Sequence, residues 1–296
     1  MTFFIPRWDK YKDKKPTGSV EIGRNNWAGA TCSFATLLQD RTPIDLVSKN
    51  TGDVNIATLQ EAPFGSYFNF TGATDNYIKF DITEVGDDLV TVVFRSKFGS
   101  TKTFIDIGFS DGGRRAIYNT NSLHYMFSSG GTNFYEKNSV FPTGWVWNVL
   151  TIDAINNAAN WYENGDVLTS PINNVIPLYT SANILAIGSG ADTAYPGDHA
   201  ISDVFVFNEI FDAEQARSIS ENPYQILKPR RKFFVLGSGD VEPPAPGNKL
   251  YLGATEITTL KLGSTDISTV YLGSVNNETT FQGSNVTFNG ENVTYG

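Results

Sequence analysis

Two histidines, one cysteine and scattered carboxylates are the raw material for any catalytic chemistry in this sequence. A sandwich glycosidase sets its acid and its nucleophile at alternate positions of one strand, so that both carboxyls reach the same sugar ring. The nearest approach, Asp81-Ile-Thr-Glu84, puts its carboxyls on opposite faces, and Glu84-Val-Gly-Asp-Asp88 reads as a turn. Phe98-Gly-Ser-Thr-Lys102 lacks both the spacing of a phosphate loop and the helix after it, and Gly188-Ser-Gly190 lacks a third glycine in register. Cys32 stands alone, which excludes an intrachain disulfide and a Cys-rich zinc site, and it reads as a small buried hydrophobe. His124, followed by Tyr125 and Phe127, reads as a structural residue of a strand. His199 closes Tyr195-Pro-Gly-Asp-His199, where Asp192 and Asp198 could meet a hard cation. Calcium needs six to eight oxygens, and these residues supply too few by themselves. The expectation is a protein that is not an enzyme and has no cofactor, with calcium left open.

Sugar binding would instead use rings. Trp161, Tyr162 and Tyr195 are candidate glycan-stacking residues. In Trp145-Val-Trp-Asn-Val-Leu-Thr-Ile-Asp153 the odd positions carry Trp145, Trp147, Val149 and Thr151, and the even ones Val146, Leu150 and Ile152. Both faces are largely apolar, so this strand belongs in the middle of a sheet with one side in the core and the other at least partly covered. The Trp pair then packs in a core; a sugar platform is the alternative.

The elements that must position such residues are strands. Phe (21) and Tyr (13) far outnumber Met (2), and Thr, Val and Ile are abundant, a composition suited to pleated, half-buried surfaces. The formal charge of −9 and the absence of a broad basic stripe speak against a nucleic-acid partner, which requires cations to replace condensed counterions. Two short basic runs, Lys10–Lys15 and Lys228-Pro-Arg230-Arg231-Lys232, read as solvated faces or as handles for an acidic neighbour. No apolar run is long enough to span a bilayer, so no membrane insertion is expected. MTFFIPRWDKYKDKK has no signal-peptide pattern, so folding in a cytoplasm without export is expected. Asn69-Phe-Thr71, Asn277-Glu-Thr279, Asn285-Val-Thr287 and Asn292-Val-Thr294 match the glycosylation triplet but read as strand and turn residues.

Residues 1–40 read as an N-terminal arm and 41–236 as a sandwich. Expected strands are Tyr67–Thr71, Tyr77–Asp81, Asp88–Ser96, Thr103–Phe109, Leu123–Ser128, Trp145–Asp153, Asn160–Glu163, Asn183–Ile187 and His199–Phe207, separated by Gly, Asn, Asp and Ser turns. One helix is expected: Asp212 with Gln215 makes a capping-box spacing, and Asn222-Pro223 ends it. Residues 237–248 form a Pro/Gly linker. Residues 249–296 are a β-repeat segment: Leu250–Thr259 aligns without a gap on Leu260–Thr269, Val270–Thr279 is a decayed copy, and the unit then shortens to Asn285–Glu291. Units this short cannot bury themselves, so they are expected to pair with neighbours, a small self-contained meander being the alternative. Phe3, Phe4, Trp8, Arg230, Arg231, Tyr251, Tyr271, Phe281 and Phe288 are the candidate assembly contacts.

From Ser66 to Pro223 the chain resembles the concanavalin A-like, or laminin-G-like, jelly-roll superfamily. The resemblance is carried by Trp145 to Asp153, the hairpin Trp161-Tyr-Glu-Asn-Gly165, the strand ending Leu185-Ala-Ile-Gly188, Gly197 and Ile201 with Asp203-Val-Phe-Val-Phe-Asn208, and the helix start Phe211-Asp-Ala-Glu-Gln215. Glu221–Lys232 and the tail repeats look like the ends of tailed-bacteriophage structural proteins. The resemblance implies an all-β, concanavalin A-like jelly-roll sandwich that binds glycans or proteins at its rim or concave face. It also implies a non-enzymatic virion structural protein (capsid decoration, fibre or tail-associated) that makes homo-oligomers and contacts other virion proteins. A glycan-binding receptor or capsule-recognition lectin of a tail fibre, with or without depolymerase activity, is the alternative; its partner would be a cell-surface glycan.

Overall fold

The computed structural model describes residues 14–16, 19–73, 75–82, 85, 88–98, 102–109, 113–120, 123–128, 132–138, 144–168, 174–179, 182–189 and 197–229, and short strands between 251 and 292. In chain order the first strands are β1 (Val20–Ile22), β2 (Cys32–Thr36), β3 (Asp53–Asn55), β4 (Thr58–Ala62), β5 (Gly65–Thr71) and β6 (Tyr77–Asp81), with the single-turn helix α1 (Trp27–Thr31) before β2. Next come β7 (Leu89–Phe98), β8 (Lys102–Phe109), β9 (Arg114–Thr120), β10 (Leu123–Ser128), β11 (Thr132–Asn138) and β12 (Trp145–Asp153). The series continues with β13 (Ala158–Glu163), β14 (Asp166–Leu168), β15 (Ala182–Ile187), β16 (Asp198–Phe207), helix α2 (Ala213–Glu221) and β17 (Leu227–Pro229).

Two antiparallel sheets face each other. One has seven strands in the order β11-β10-β9-β8-β15-β6-β3; the other has eight, β14-β13-β12-β7-β16-β5-β4, with β2 added beside β16. Alternation along the strands explains the packing. Val90, Val92 and Phe94 of β7, Leu150 and Ile152 of β12, and Ile105 and Ile107 of β8 meet in the core between the sheets. A second core lies on the far side of the eight-stranded sheet, where Val93, Trp147, Val149, Phe205 and Phe207 are covered by Ala28, Leu37, Ala216, Ile219, Tyr224 and Ile226. The apolar character of both faces of β12 follows from this arrangement.

The turns obey local chemistry. Asn164 (φ 50°) and Gly165 (φ 91°) make the two-residue turn between β13 and β14, as a tight hairpin of that twist requires. Asp212 caps α2 by accepting from the Gln215 N–H while the Gln215 side chain accepts from the Asp212 N–H, the reciprocal box read from sequence.

The N-terminal arm expected over residues 1–40 is corrected. Val20–Ile22 pairs with Leu227–Pro229, and Cys32–Thr36 adds to β16. Lys15, expected on a solvated basic face, is buried. These segments are recruited because the outer side of the eight-stranded sheet is apolar and needs a cover. Phe3, Phe4 and Trp8 lie outside the described residues, as do Arg230, Arg231, Tyr271, Phe281 and the 237–248 linker.

The chain divides into two compact units, Met1–Pro229 and Arg230–Gly296. Within the second, the ten-residue repeat is a hairpin repeated in the same register. β18 (Tyr251–Leu252) pairs with β19 (Thr255–Glu256) as Tyr251↔Glu256, and β20 (Leu260–Leu262) pairs with β21 (Thr265–Asp266) as Lys261↔Asp266. β22 (Val286–Phe288) and β23 (Glu291–Asn292) extend the second hairpin into a four-stranded sheet, β21-β20-β22-β23. Tyr251 and Phe288 sit at strand positions of these hairpins. The described tail strands pair with one another within the chain, in an order that is not that of a meander because β20, not β21, lies beside β22.

Candidate functional site

The two sheets differ in what their outer faces carry. On the eight-stranded sheet the second core covers the outer face around Val93, Trp147, Val149 and Phe205, while Thr58, Gln60 and Lys97 stay exposed and Tyr67, Asn69 and Trp145 half-buried toward its other end. At its end, Trp145 meets Phe64 and Tyr67 edge-on with ring centroids 4.9 and 5.0 Å apart, and the Arg95 guanidinium lies 3.7 Å from the Phe64 centroid. Phe64 is buried in this cluster, while Trp145 and Tyr67 stay half-buried.

On the seven-stranded sheet, Ile105 and Ile107 point to the core, so Asp106 falls on the opposite face. The pairing register carries a continuous row across that face: Asp53–Lys79–Ala186–Asp106–Ala116. A second row runs Asp81–Ile184–Gly108–Arg114. Ala116, Ala186 and Gly108 are small and buried, while Tyr77, Lys79 and Arg114 beside them are longer and half-buried. Small residues low and long polar residues at the flanks give the face a trough-like profile.

Charge on this face is organised. Arg114 forms an ion pair with Asp106, whose side chain is fully buried. The Lys79 ammonium stands 4.4 Å from the centroid of the Tyr77 ring on the same strand. Tyr77 in turn pairs in register with Asn55 on the edge strand β3. Farther along, Tyr118 pairs with Tyr125, at positions that alternate with the core residues Ile117 and Met126, and Glu136 pairs with Tyr125. Fixed carboxylates, a guanidinium and amide or phenol groups on a rigid sheet are the donors and acceptors that hydroxyl-rich ligands need.

The sequence-derived stacking residues lie elsewhere. Trp161 is fully buried between the sheets, and its indole N–H donates to Asn148 Oδ1 at 3.0 Å; Asn148 Nδ2 donates to Ser96 Oγ at 3.1 Å. Tyr162 is buried in the second core, and burial raises its hydroxyl pKa. Both are corrected from stacking surfaces to core residues, because β13 is paired on both edges and covered on both faces. Tyr195 lies outside the described residues. No expectation pointed to Asp53, Lys79, Asp106 or Arg114. The usable signal was Asp106 itself, a carboxylate between two isoleucines in an otherwise apolar strand.

Cys32 and His199 are structural. Cys32 is buried and its thiol pushed up to about 12 by desolvation, which keeps it protonated and inert. His199 sits between Phe70 (centroids 5.3 Å) and Phe104 (4.6 Å), and burial lowers it to about 3. His124 occupies β10 opposite Asn119 and Lys137. Among the described residues no group of three or more His, Cys, Asp or Glu could hold a metal; Asp192 lies outside them. No described helix is long and apolar enough to cross a membrane.

The fold is an all-β, jelly-roll-like two-sheet sandwich with one outer surface partly covered by a second apolar core and a polar face on the other sheet. Known structures share that architecture. Trypanosoma rangeli sialidase superposes with a TM-score of 0.50 at 13% identity over 67% of this chain and 33% of the sialidase, so this chain spans about a third of that enzyme's length. Domain 4 of AbnA, an extracellular arabinanase from Geobacillus stearothermophilus, solved with arabinotriose, gives 0.51 at 13% identity over 64% of this chain and 98% of that domain. At such identities the likeness is one of fold. No protein-family model matches the chain, and no curated protein matches it.

Proposed function

We propose that this protein is a non-enzymatic glycan-binding sandwich whose ligand lies on the outer face of the seven-stranded sheet. The observation that carries this reading is the row of charged and polar side chains registered across the outer face of the seven-stranded sheet. That face presents Tyr77, Lys79, Asp53, Asp81 and the Asp106–Arg114 pair on rigid strands, whereas the apolar second core covers a large part of the other sheet's outer face. A whole domain of the same fold, solved with arabinotriose, supports it by analogy. Oligosaccharides bind by many modest hydrogen bonds and ring contacts, which a preorganised sheet supplies without ordering loops. A glycan array with the full chain, repeated with Tyr77→Ala and Lys79→Ala, tests this. Specific binding weakened about tenfold or more by either change is expected. Silence on every glycan overturns it, and release of reducing ends from a bound polysaccharide overturns the non-enzymatic part.

We propose further that the sandwich is carried on a bacteriophage virion, as a fibre, tail-associated or decoration protein that self-associates through its tail. The recurrence of one hairpin register at Tyr251↔Glu256 and Lys261↔Asp266 favours this, because short repeated units stack on copies of themselves. Light scattering of the full chain should give an oligomer that a truncation after Pro229 converts to a monomer. A monomeric full chain at micromolar concentration overturns the self-association.

A further inference from the structure

We infer that the outer face of the seven-stranded sheet selects neutral, hydroxyl-rich glycans and discriminates against sugars bearing a carboxylate. The inference rests on the glycan-binding reading above and adds the ligand class. Its basis is the balance of charge along the registered rows. Four described carboxylates occupy the face: Asp53 on the edge strand, Asp81 at the end of β6, Asp106 on the floor and Glu136 opposite Tyr125.

Two described cations accompany them, and both are committed. The Arg114 guanidinium is taken by the buried Asp106 carboxylate. The Lys79 ammonium is drawn over the Tyr77 ring, with Asp53 its register neighbour on the adjacent strand. A uronic acid or sialic acid entering here would give up its water to face Asp53 and Asp81, both exposed, and would find its natural partners occupied. Sugar hydroxyls meet the opposite situation. They donate to carboxylate oxygens in charge-assisted hydrogen bonds, and adjacent hydroxyls can engage one carboxylate together. The formal charge of −9 for the whole chain adds a long-range term of the same sign.

The test is calorimetric titration of the full chain with matched pairs: neutral arabino-, gluco- and galacto-oligosaccharides against sialylated or uronic-acid-bearing counterparts of similar length. At about 20 mM salt the neutral member should bind about tenfold tighter or more, and the gap should narrow at about 500 mM as the exposed carboxylates are screened. The double variant Asp53→Asn/Asp81→Asn should raise the acidic-to-neutral affinity ratio about fivefold at low salt. Equal or preferential binding of acidic sugars, or a ratio unmoved by that variant, overturns the selectivity and leaves glycan binding standing. Binding of neither class overturns the glycan reading and the selectivity with it.

Discussion

The ammonium of Lys15 lies 3.5 Å from the Asp203 carboxylate, and both side chains are sealed from solvent. Lys15 also donates to the Leu37 and Ser202 carbonyls, its backbone N–H reaches Phe64 O at 2.8 Å, and Tyr224 donates to Asp203 at 3.3 Å. Desolvation outweighs attraction here: Lys15 is lowered to about 8 although Asp203 pulls it up, and the Asp203 carboxyl is raised. Removing one partner strands the other. Asp203→Ala should therefore cost about 3–5 kcal/mol, measured by urea unfolding at neutral pH. The paired replacement Lys15→Met/Asp203→Leu should cost clearly less than Asp203→Ala alone. A double change as damaging as the sum of the two single ones would show that the groups do not interact.

Trp161 is the second test, because its burial reverses the expected role. Trp161→Ala should destabilise the sandwich by about 3–5 kcal/mol through the cavity alone. It also leaves Asn148 Oδ1 without its indole donor. Trp161→Phe keeps most of the volume but loses that hydrogen bond, and about 1–3 kcal/mol is expected. Any loss of glycan binding in Trp161→Ala should track the folded fraction, whereas Tyr77→Ala should weaken binding in a fully folded protein. A Trp161→Ala variant with unchanged stability would return that ring to the surface.

What the sequence reveals depends on how local the cause is. The two apolar faces of Trp145–Asp153 announce a central, covered strand, and Asp212 with Gln215 announces a helix start, because both signals lie within one element. Asn164-Gly165 likewise carries its own turn. The N-terminal segment was misread for the opposite reason. Ser33, Phe34, Ala35 and Thr36 are all buried, with no alternation to mark a strand, and their partners are Val204–Phe207, far along the chain. The polar face of the seven-stranded sheet was hidden in the same way. Asp53, Lys79, Asp106 and Arg114 become neighbours only through pairing across five strands, and all but Asp106, set between two isoleucines, look like ordinary surface charges. Trp161 and Tyr162 misled because a ring in a strand is equally suited to a core and to a sugar.

Ile56 is held at φ 61° and is 56% exposed, with the Ala57 N–H closing back on Asn55 O at 2.7 Å. A γ-turn with positive φ is strained, and a β-branched residue is the least suited to it. It exists because the chain crosses from β3 in one sheet to β4 in the other through Ile56 and Ala57 alone. Ile56→Gly should raise stability by about 1 kcal/mol, seen as a higher denaturant midpoint at constant slope, with Ile56→Ala gaining less. A loss of stability in the glycine variant would mean that the isoleucine side chain makes contacts outweighing the strain.

His199 makes the fold acid-sensitive. Its ring lies between Phe70 and Phe104, and among the described residues neither ring nitrogen has a hydrogen-bond partner and no charged side chain reaches them. Burial lowers it from 6.5 to about 3. Between those values the unfolded chain binds a proton that the folded chain refuses, so stability falls as pH drops through that window, by about 1.4 kcal/mol per pH unit from this residue. Above pH 6.5 the group is neutral in both states and contributes no pH dependence. His199→Leu and His199→Phe should each remove this part of the acid slope, whatever they cost at neutral pH. Urea unfolding at pH 7, 5.5 and 4 is the measurement. The stability difference between wild type and either variant should shift in the variant's favour by about 2 kcal/mol from pH 5.5 to 4. Parallel pH profiles for wild type and both variants would show that the imidazole is already hydrogen-bonded or solvated in the folded protein.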